Sequence, residues 1–413
     1  MVNDITPKSE REFDVVLYGA TSFVGRFVAE HLHQRQQGDN TLHIALAGRD
    51  ANKLQALQRE LAITDMPVIN VDAADSAGLF AMASRAKVIA STVGPYARYG
   101  SALVQACAEA GTDYCDLTAE LPWMRAMLDQ YGSTAKASGG RIVHGCGFDS
   151  IPSDVGTWLL QQKAKQRFGS YCDRVEMRLL KARGGFSGGT AASLTEMVFE
   201  ATDDPQVRAV TLNPYGLTEP GQSGPQQDRM LPKYDRGLGQ WSAPFLMAPI
   251  NTRVVQRSHA IAGMPWGENF LYDEAMSTGK GLPGMVLAAG ATAALGSLIG
   301  LSALKMTRPL IKKILPKPGK GPSLRTIENG YFVMRATGTT SDGRRLVMDV
   351  EGEKDPGYGA TARMLGEAAL CLAADSSNQV VGGGFWTPST AMGEALVTKL
   401  SQHAGIRFRE VAQ

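Results

Sequence analysis

The N-terminal third of this chain alternates short apolar runs with helix-like stretches, and this alternation restricts the fold more than any other feature. Six apolar runs, each bounded by turn residues, lie at 14–18, 43–47, 67–71, 87–93, 113–117 and 141–145. Near-continuous apolar strands separated by helices are typical of a parallel sheet that is covered on both faces. The pattern therefore predicts a doubly wound α/β domain over residues 1–150, with its ligand crevice at the carboxyl ends of the strands.

The length of 413 residues exceeds one ordinary hydrophobic core and predicts a second domain, which we expect over residues 151–354. Its first element is predicted as a helix at 153–168 that Ser153 caps. The other predicted elements are strands at 174–182, 241–261 and 331–350, a hairpin turn at Asp342-Gly343, and helices at 358–374 and 388–402. We expect the last two helices, within residues 355–413, to pack back on the first domain. Residues 212–240 are rich in proline and glycine and are predicted to form a long loop.

Charge and cysteine content exclude several classes of protein. Forty-two basic residues balance forty acidic residues without a basic stripe, so we expect no nucleic-acid partner. Five cysteines without a C-x-x-C pair favour reduced thiols and a cytoplasmic protein. The polar N-terminal sequence contains no apolar signal core, so export is not expected. The six histidines are widely spread, and no metal site is predicted.

A glycine-containing turn follows the first predicted strand and precedes a helix. A glycine at position 19 allows a tight turn, small neighbours let backbone amides approach a diphosphate, and Gly25 lets the helix pack closely. The diphosphate would then lie at a helix N-terminus, which favours an anion. The alternative is a plain strand-to-helix turn. The predicted diphosphate-binding residues are Gly19, Ala20, Thr21, Ser22, Phe23, Val24 and Gly25.

The residues after the second strand favour NADP(H) over NAD(H). Arg49 follows the strand directly, and its guanidinium can bind a 2′-phosphate with Lys53 as a second positive charge. Asp50 is either an acid for the ribose hydroxyls or the cap of the next helix. Asp72, after the third apolar run, is included among the predicted cofactor-binding residues.

The fourth strand ends in VGPYARYG, where the nicotinamide half of a dinucleotide would pass. Val93, Gly94, Pro95 and Tyr96 are therefore predicted to contact the cofactor. For Tyr96 and for the nearby Tyr99, packing against the next helix is an equal alternative.

Several long motifs resemble those of the saccharopine dehydrogenase-like oxidoreductases, and within them the trans-acting enoyl reductase branch. The motifs include STVGPYARYGSALVQACAEAGTDYCDLTAE at 91–120, HGCGFDSIPSDVG at 144–156 and DPGYGATARMLGEAALCLA at 355–373. The resemblance covers nearly the whole chain. It departs from the family pattern at Ser22 and Ala119, where relatives commonly carry glycine.

The resemblance implies an NADP-dependent reductase with a Rossmann domain and a second α+β domain for substrate binding or dimerisation. It also implies reduction of a carbon–carbon double bond in a hydrophobic or carrier-bound acyl substrate of polyketide type, in partnership with a synthase. Two alternatives remain open at this point. One is a saccharopine-type enzyme acting on a C–N bond of an amino acid, whose carboxylates Arg253 and Arg257 would bind. The other is a non-enzymatic, lipid-associated protein that keeps the nucleotide-binding fold.

The proton donor is less constrained than the cofactor. No tyrosine is followed four residues later by lysine, so the short-chain dehydrogenase arrangement is absent. The candidates for polarising or protonating the substrate lie after the fifth and sixth strands and are Tyr114, Asp116, Asp149 and Ser150. For each of them a turn or capping role is the alternative. The nearby Cys115 and Cys146 are expected to be buried and structural.

An uncharged segment at 284–304 is long enough to cross a bilayer. Basic residues follow it at Lys305, Arg308, Lys312, Lys313, Lys317 and Lys320. This pattern suggests a membrane-surface contact through 284–320, on the inner face of a membrane, or binding of an acyl chain. The alternatives are a buried helix, a helical hairpin or a homodimer contact, for which Gly296 and Gly300 offer a G-x-x-x-G pair. A true membrane span is disfavoured because alanine and glycine dominate the segment.

Overall fold

A computed structural model describes residues 6–184, 188–314, 321–375 and 381–412. The chain forms two compact units. The first contains the residues up to Phe148, Gly321 and the segment Gly357–Ala404, and the second contains most of Asp149–Pro356 and the residues from Gly405 onward.

The first unit is an alternation of strands and helices. Up to residue 143 its elements are β1 (Phe13–Tyr18), α1 (Phe23–Gly38), β2 (Ile44–Gly48), α2 (Ala51–Leu61), β3 (Val68–Asn70), α3 (Ser76–Ser84), β4 (Ala86–Ser91), α4 (Tyr96–Tyr99), α5 (Ser101–Ala110), β5 (Asp113–Asp116), α6 (Leu121–Ser138) and β6 (Arg141–Val143). These strands pair in parallel in the order β6-β5-β4-β1-β2-β3. Val15, Val16 and Leu17 are fully buried, as expected for a strand covered on both faces. The predicted doubly wound sheet is confirmed, and its order reverses between β1 and β4.

The second unit is built around a mixed sheet. Its elements up to residue 353 are α7 (Ile151–Phe168), β7 (Arg174–Arg183), α8 (Gly188–Asp203), α9 (Pro205–Leu212), β8 (Lys233–Asp235), β9 (Gln240–Pro244), α10 (Ala248–Ile261), β10 (Leu271–Gly279), α11 (Gly281–Ala303), α12 (Arg308–Ile314), α13 (Leu324–Glu328), β11 (Tyr331–Thr339) and β12 (Arg345–Glu353). The strands β7 and β10 are parallel, whereas β11 pairs antiparallel with both β7 and β12. Asp342 and Gly343 lie in the hairpin between β11 and β12, where Gly343 has a φ of +86°.

The C-terminal segment returns to the first unit and then leaves it. Its elements are α14 (Gly359–Ala374), β13 (Gly384–Trp386), α15 (Pro388–Lys399) and β14 (Ile406–Glu410). The strand β13 extends the parallel sheet beside β6, and Glu367 of α14 binds His31 and Arg35 of α1 at 2.8 and 2.9 Å. The return does not extend to residue 413, because β14 pairs with β12 in the second sheet.

In the second unit one predicted helix has a different start and cap, and one predicted strand is largely a helix. The helix predicted at 153–168 begins at Ile151 after Ser150, and the hydroxyl of Ser153 donates to Glu274 at 3.1 Å instead of capping. The strand predicted at 241–261 ends at Pro244, and α10 follows it. Proline in the first turn of α10 is favourable for a helix start, and the buried Ile250 and Val254 are one helical turn apart.

Candidate active site

The turn between β1 and α1 has two positions that only glycine fits and one side-chain cap. Gly19 has a φ of +89°, and a Cβ atom there would lie 2.5 Å from Cγ2 of Val93. Gly25 is equally constrained, because its Cβ would lie 2.3 Å from the carbonyl oxygen of Gly19. The hydroxyl of Ser22 accepts the Gly25 amide at 2.9 Å and caps α1. Serine at position 22 thus supplies a cap that a glycine there would lack.

This turn fits a diphosphate. Among the described residues, the backbone amides of Thr21, Phe23 and Val24 have no hydrogen-bond acceptor, whereas Ser22 N donates to Gly19 O at 2.9 Å. The first turn of α1 carries no acidic side chain. Open amides at a helix N-terminus, with the helix dipole behind them, form an anion-binding site.

The carboxyl end of β2 presents a free positive charge. Arg49 is exposed, and Asp50 caps α2 by accepting the amide of Lys53 at 3.1 Å. The capping alternative for Asp50 is therefore the observed one. Lys53 is largely exposed and lies 3.6 Å from the Asp50 carboxylate. Asp72, just after β3, and Arg49 both act on Tyr18 at the end of β1. Burial raises the pKa of Tyr18 to about 12, the negative charge of Asp72 raises this pKa further, and the positive charge of Arg49 lowers it.

Tyr96 braces the edge of the sheet. Its hydroxyl donates to Ser91 O at 3.1 Å and accepts the Leu117 amide at 3.2 Å. The carboxylate of Glu120 accepts the amides of Tyr96 and Ala97 at 3.0 and 2.8 Å and so caps the short helix α4. This arrangement fixes the loop at Val93, Gly94 and Pro95, and Gly94 in that loop is exposed. The hydrogen bonds of Tyr96 join the end of β4 to the residue after β5, which differs from the expected packing against the next helix.

A buried histidine–aspartate pair lies at the carboxyl ends of β5 and β6. His144 Nδ1 is 2.8 Å from Asp116 Oδ2, and both side chains are at least 95% buried. Asp116 Oδ1 also accepts the amides of Thr118 and Gly145, each at 3.1 Å. The two amides hold the Asp116 carboxylate in place. Because a carboxylate only accepts hydrogen bonds, Nδ1 of His144 is the donor in the bond between them. The other ring nitrogen, Nε2, is buried and has no partner within the described part of the chain.

Sequence reasoning selected Asp116 but missed His144. The missed signal was the position of His144 directly after β6, one strand from Asp116, since parallel strands end at the same edge. Aromatic rings surround this histidine: the centroid distances are 5.0 Å to Trp123, 5.9 Å to Tyr114 and 5.8 Å to Phe385.

The other predicted catalytic residues have different surroundings. Tyr114 does not follow β5 but lies within it, fully buried, and burial next to Asp116 keeps the pKa of its hydroxyl well above the usual value. Asp149 and Ser150 are the first residues of the second unit. Ser150 precedes α7, and its buried hydroxyl has no partner among the residues that the structure describes. Cys115 and Cys146 are buried like the other three cysteines, and none of the five forms a disulfide.

The second unit contains a buried carboxyl group that sequence reasoning also missed. Glu274 on β10 accepts hydrogen bonds from Tyr272 at 2.9 Å and from Ser153 and Asn251 at 3.1 Å each. Burial raises the pKa of Glu274 to about 7, and the three donors oppose this shift. A small change of pH near neutrality therefore changes the fraction of Glu274 that is ionised.

Comparison with known proteins fixes the family. Residues 15–143 match the family described as the saccharopine dehydrogenase NADP binding domain. The chain is 41% identical over 407 residues to a provisionally named trans-acting enoyl reductase of Mycobacterium tuberculosis, with coverage of 94% of this chain and 96% of the relative. A second M. tuberculosis protein, named trans-acting enoyl reductase, is 39% identical over 406 residues, with coverage of 95% and 96%. The chain belongs to the trans-acting enoyl reductase family.

Membership of this family makes the chain an NADP-dependent oxidoreductase and NADP(H) its cofactor. The non-enzymatic alternative is therefore not retained. The fold also agrees with saccharopine dehydrogenase (L-Glu forming) of Saccharomyces cerevisiae, with a TM-score of 0.53, 14% identity, and coverage of 96% of this chain and 99% of that chain. At that identity the likeness concerns the fold alone.

A saccharopine-type reaction would depend on Arg253 and Arg257 to bind the substrate carboxylates. In this chain both arginines are bound to groups of the protein instead. Arg253 is fully buried and binds Asp228 at 2.5 Å and the carbonyl oxygen of Thr211 at 2.8 Å. Arg257 is also buried and donates to the carbonyl oxygen of Leu217. Both guanidinium groups therefore hold the segment that begins at the end of α9, and they are not open to a substrate carboxylate.

We predict that Arg49→Ala weakens NADPH binding by about 10- to 100-fold, which corresponds to the loss of one charge-assisted hydrogen bond. NADH affinity should stay within about threefold, because NADH lacks the 2′-phosphate. The measurement is a nicotinamide fluorescence titration with both cofactors. Arg59→Ala, on the exposed part of α2, is the matched control. Equal losses for NADPH and NADH would contradict a 2′-phosphate contact.

Proposed function

We propose that this oxidoreductase reduces the carbon–carbon double bond of an α,β-unsaturated acyl substrate with NADPH, and that the His144–Asp116 pair delivers the proton. The observation that carries the proposal is the unpartnered Nε2 of His144 at the carboxyl edge of the NADP-binding sheet. The names of the relatives support the enoyl class of substrate.

The cofactor would be held by residues of the first unit alone. The open amides of Thr21, Phe23 and Val24 would bind the diphosphate, and Arg49 would bind the 2′-phosphate. Bound NADPH supplies a hydride to the substrate carbon farther from the carbonyl group. Along the same edge of the sheet, the ends of β4, β5 and β6 follow β1 in order, so Asp116 and His144 lie on the side of Val93–Tyr96 away from Arg49.

The protein must then supply one proton to the neighbouring carbon. Nδ1–H of His144 is held by Asp116, so a proton carried by the ring can leave only from Nε2. Asp116 stabilises the positive ring before transfer and fixes its orientation, as a carboxylate does for other catalytic histidines. The products are a saturated acyl chain, NADP⁺ and a neutral imidazole that solvent protonates again.

We propose a hydrophobic acyl group on a thioester carrier as the substrate class. The test compares NADPH consumption with trans-2-enoyl thioesters of short and long chain, and NADP⁺ reduction with saccharopine. We expect consumption only with the enoyl thioesters, faster with the long chain, and incorporation of one deuterium from C4-deuterated NADPH into the saturated product by mass spectrometry. Turnover of saccharopine without enoyl reduction would replace this proposal by C–N chemistry.

A further inference from the structure

The helix α11 is an uncharged surface helix that the rest of the protein hardly covers. In the part of the chain that the structure describes, it is the one helix long and apolar enough to cross a membrane by length and composition, and only 11% of its most apolar window is buried. Its exposed large side chains are Leu282, Met285, Val286, Leu287, Ile299 and Leu301. Six large apolar side chains exposed on one helix mark an interaction site.

The exposed side chains surround most of the helix. At 100° per residue, the six exposed side chains span about 240° of the circumference, from Ile299 and Met285 round to Leu287. The buried residues Gly284, Ala288 and Ser302 form a narrow stripe of small side chains on the opposite side. A helix that is apolar on every open side is typical of a protein interior or of contact with lipid, and these side chains are not in the protein interior. The distribution therefore favours lipid.

The attachment of the helix excludes a membrane span. Near its start, Gly284 contacts the backbone of Gly279, and the Thr278 hydroxyl donates to the Gly284 carbonyl oxygen at 2.9 Å. Just beyond its end, Arg308 binds Asp203 of α8 at 2.7 Å. Both ends thus belong to one folded unit, and a span would place parts of this unit on opposite faces of the bilayer. The geometry allows α11 to lie along a membrane surface.

Charges flank the helix at both ends. Lys280 precedes it, and Lys305 and Lys313 follow it; all three are exposed. Glu196, Glu200, Asp203 and Asp204 lie beside this region together with Arg308. Asp203 binds Arg308 with both carboxylate oxygens and also binds Lys305 at 3.3 Å. Residues 315–320, which include Lys317 and Lys320, lie outside the described residues, and so does the side chain of Lys312. Lys280 and Lys313 form no ion pair with any residue that the structure describes, and these two charges are complementary to anionic headgroups.

We propose that α11 lies in the headgroup–acyl boundary of an anionic lipid bilayer and attaches the protein to that surface. The apolar side chains around the open side of the helix enter the boundary, and the lysines at the two ends contact lipid phosphates. This attachment is independent of the reaction proposed above. It would hold the protein where hydrophobic molecules are concentrated.

The test is flotation of the full-length protein with vesicles of phosphatidylglycerol and phosphatidylethanolamine, compared with vesicles of phosphatidylcholine. We expect binding to the anionic vesicles, and a loss of about tenfold or more in the bound fraction for Leu282→Glu/Val286→Glu/Leu287→Glu. Leu212→Glu/Leu231→Glu changes two leucines of similar exposure outside the helix and should bind like the wild type. All the substituted positions are exposed, so folding, checked by circular dichroism and NADPH binding, should persist.

Three results would overturn the proposal. The first is a wild type that stays in the unbound fraction. The second is a helix variant that floats as well as the wild type. Alternatively, light scattering without lipid would show a dimer that only the helix variant loses, which would make α11 an interface between two copies of the chain. A matched Lys280→Gln/Lys313→Gln variant should bind anionic vesicles less than the wild type, and the difference should shrink at high salt, because exposed charges are screened by salt.

Discussion

Replacing His144 by asparagine should lower kcat by about 10²- to 10⁴-fold, the usual contribution of a positioned acid, while NADPH affinity stays within about threefold. Asparagine carries an N–H close to the position of Nδ1, so the bond to Asp116 can persist. It has no atom at the position of Nε2, so the proton source of the proposed reaction is removed. The measurement is steady-state kinetics with the enoyl thioester that supports turnover, together with a cofactor titration.

A structural role for His144 predicts a different pattern. If the histidine only supported the fold, His144→Asn would lower the melting temperature and NADPH affinity together with kcat. Asp116→Asn is a second test of the proton-donor role. An amide in place of the carboxylate disturbs the histidine tautomer and should also lower kcat. His33→Asn, at a histidine near the surface that pairs with Asp65, is the control and should leave kcat unchanged. A kcat for His144→Asn within about threefold of wild type would exclude the pair as the proton donor.

The parallel sheet of the first unit was predictable because its signal is local. Each of its predicted strands is a short apolar run, and each connection contains a helix with turn residues at its ends. The same locality made the turn at Gly19 and Gly25 recognisable, and the structure adds the reason that both must be glycine: a Cβ at either position would overlap a neighbouring atom.

The errors arose where the meaning of a residue depends on distant neighbours. The segment at 248–261 contains valine and isoleucine at strand-like density, but it forms a helix in which every residue from 250 to 259 is buried, so no one-sided apolar pattern marks it as a helix. Asp50 could be a ribose acid or a cap until the amide of Lys53 was seen against it. His144 had no distinguishing local pattern, because its partner Asp116 lies 28 residues earlier and meets it only through strand pairing.

Glu274 leads to a prediction about stability and pH. Its pKa is about 7 in the folded protein against 4.5 for an ordinary glutamate, so the folded state binds the proton more tightly. The stability that this proton contributes is complete below pH 4.5 and is lost as the pH rises through 7. At about 1.4 kcal/mol per pKa unit, the free energy of unfolding falls by about 3 kcal/mol across this window. Above pH 7 the fold therefore contains a buried carboxylate that its three donors only partly compensate.

Glu274→Gln should consequently stabilise the protein at pH 8 by about 2–3 kcal/mol more than at pH 5. The amide keeps one oxygen for Ser153 and Asn251, and the Tyr272 hydroxyl can accept from the new amide nitrogen instead of donating. The measurement is urea unfolding at both pH values, with Glu219→Gln at an exposed position as the control that should show no such difference. An equal effect of Glu274→Gln at pH 5 and pH 8 would mean that Glu274 does not change its protonation in this range. A loss of stability at pH 8 would mean that the ionised carboxylate is the form that the hydrogen-bonding groups around it require.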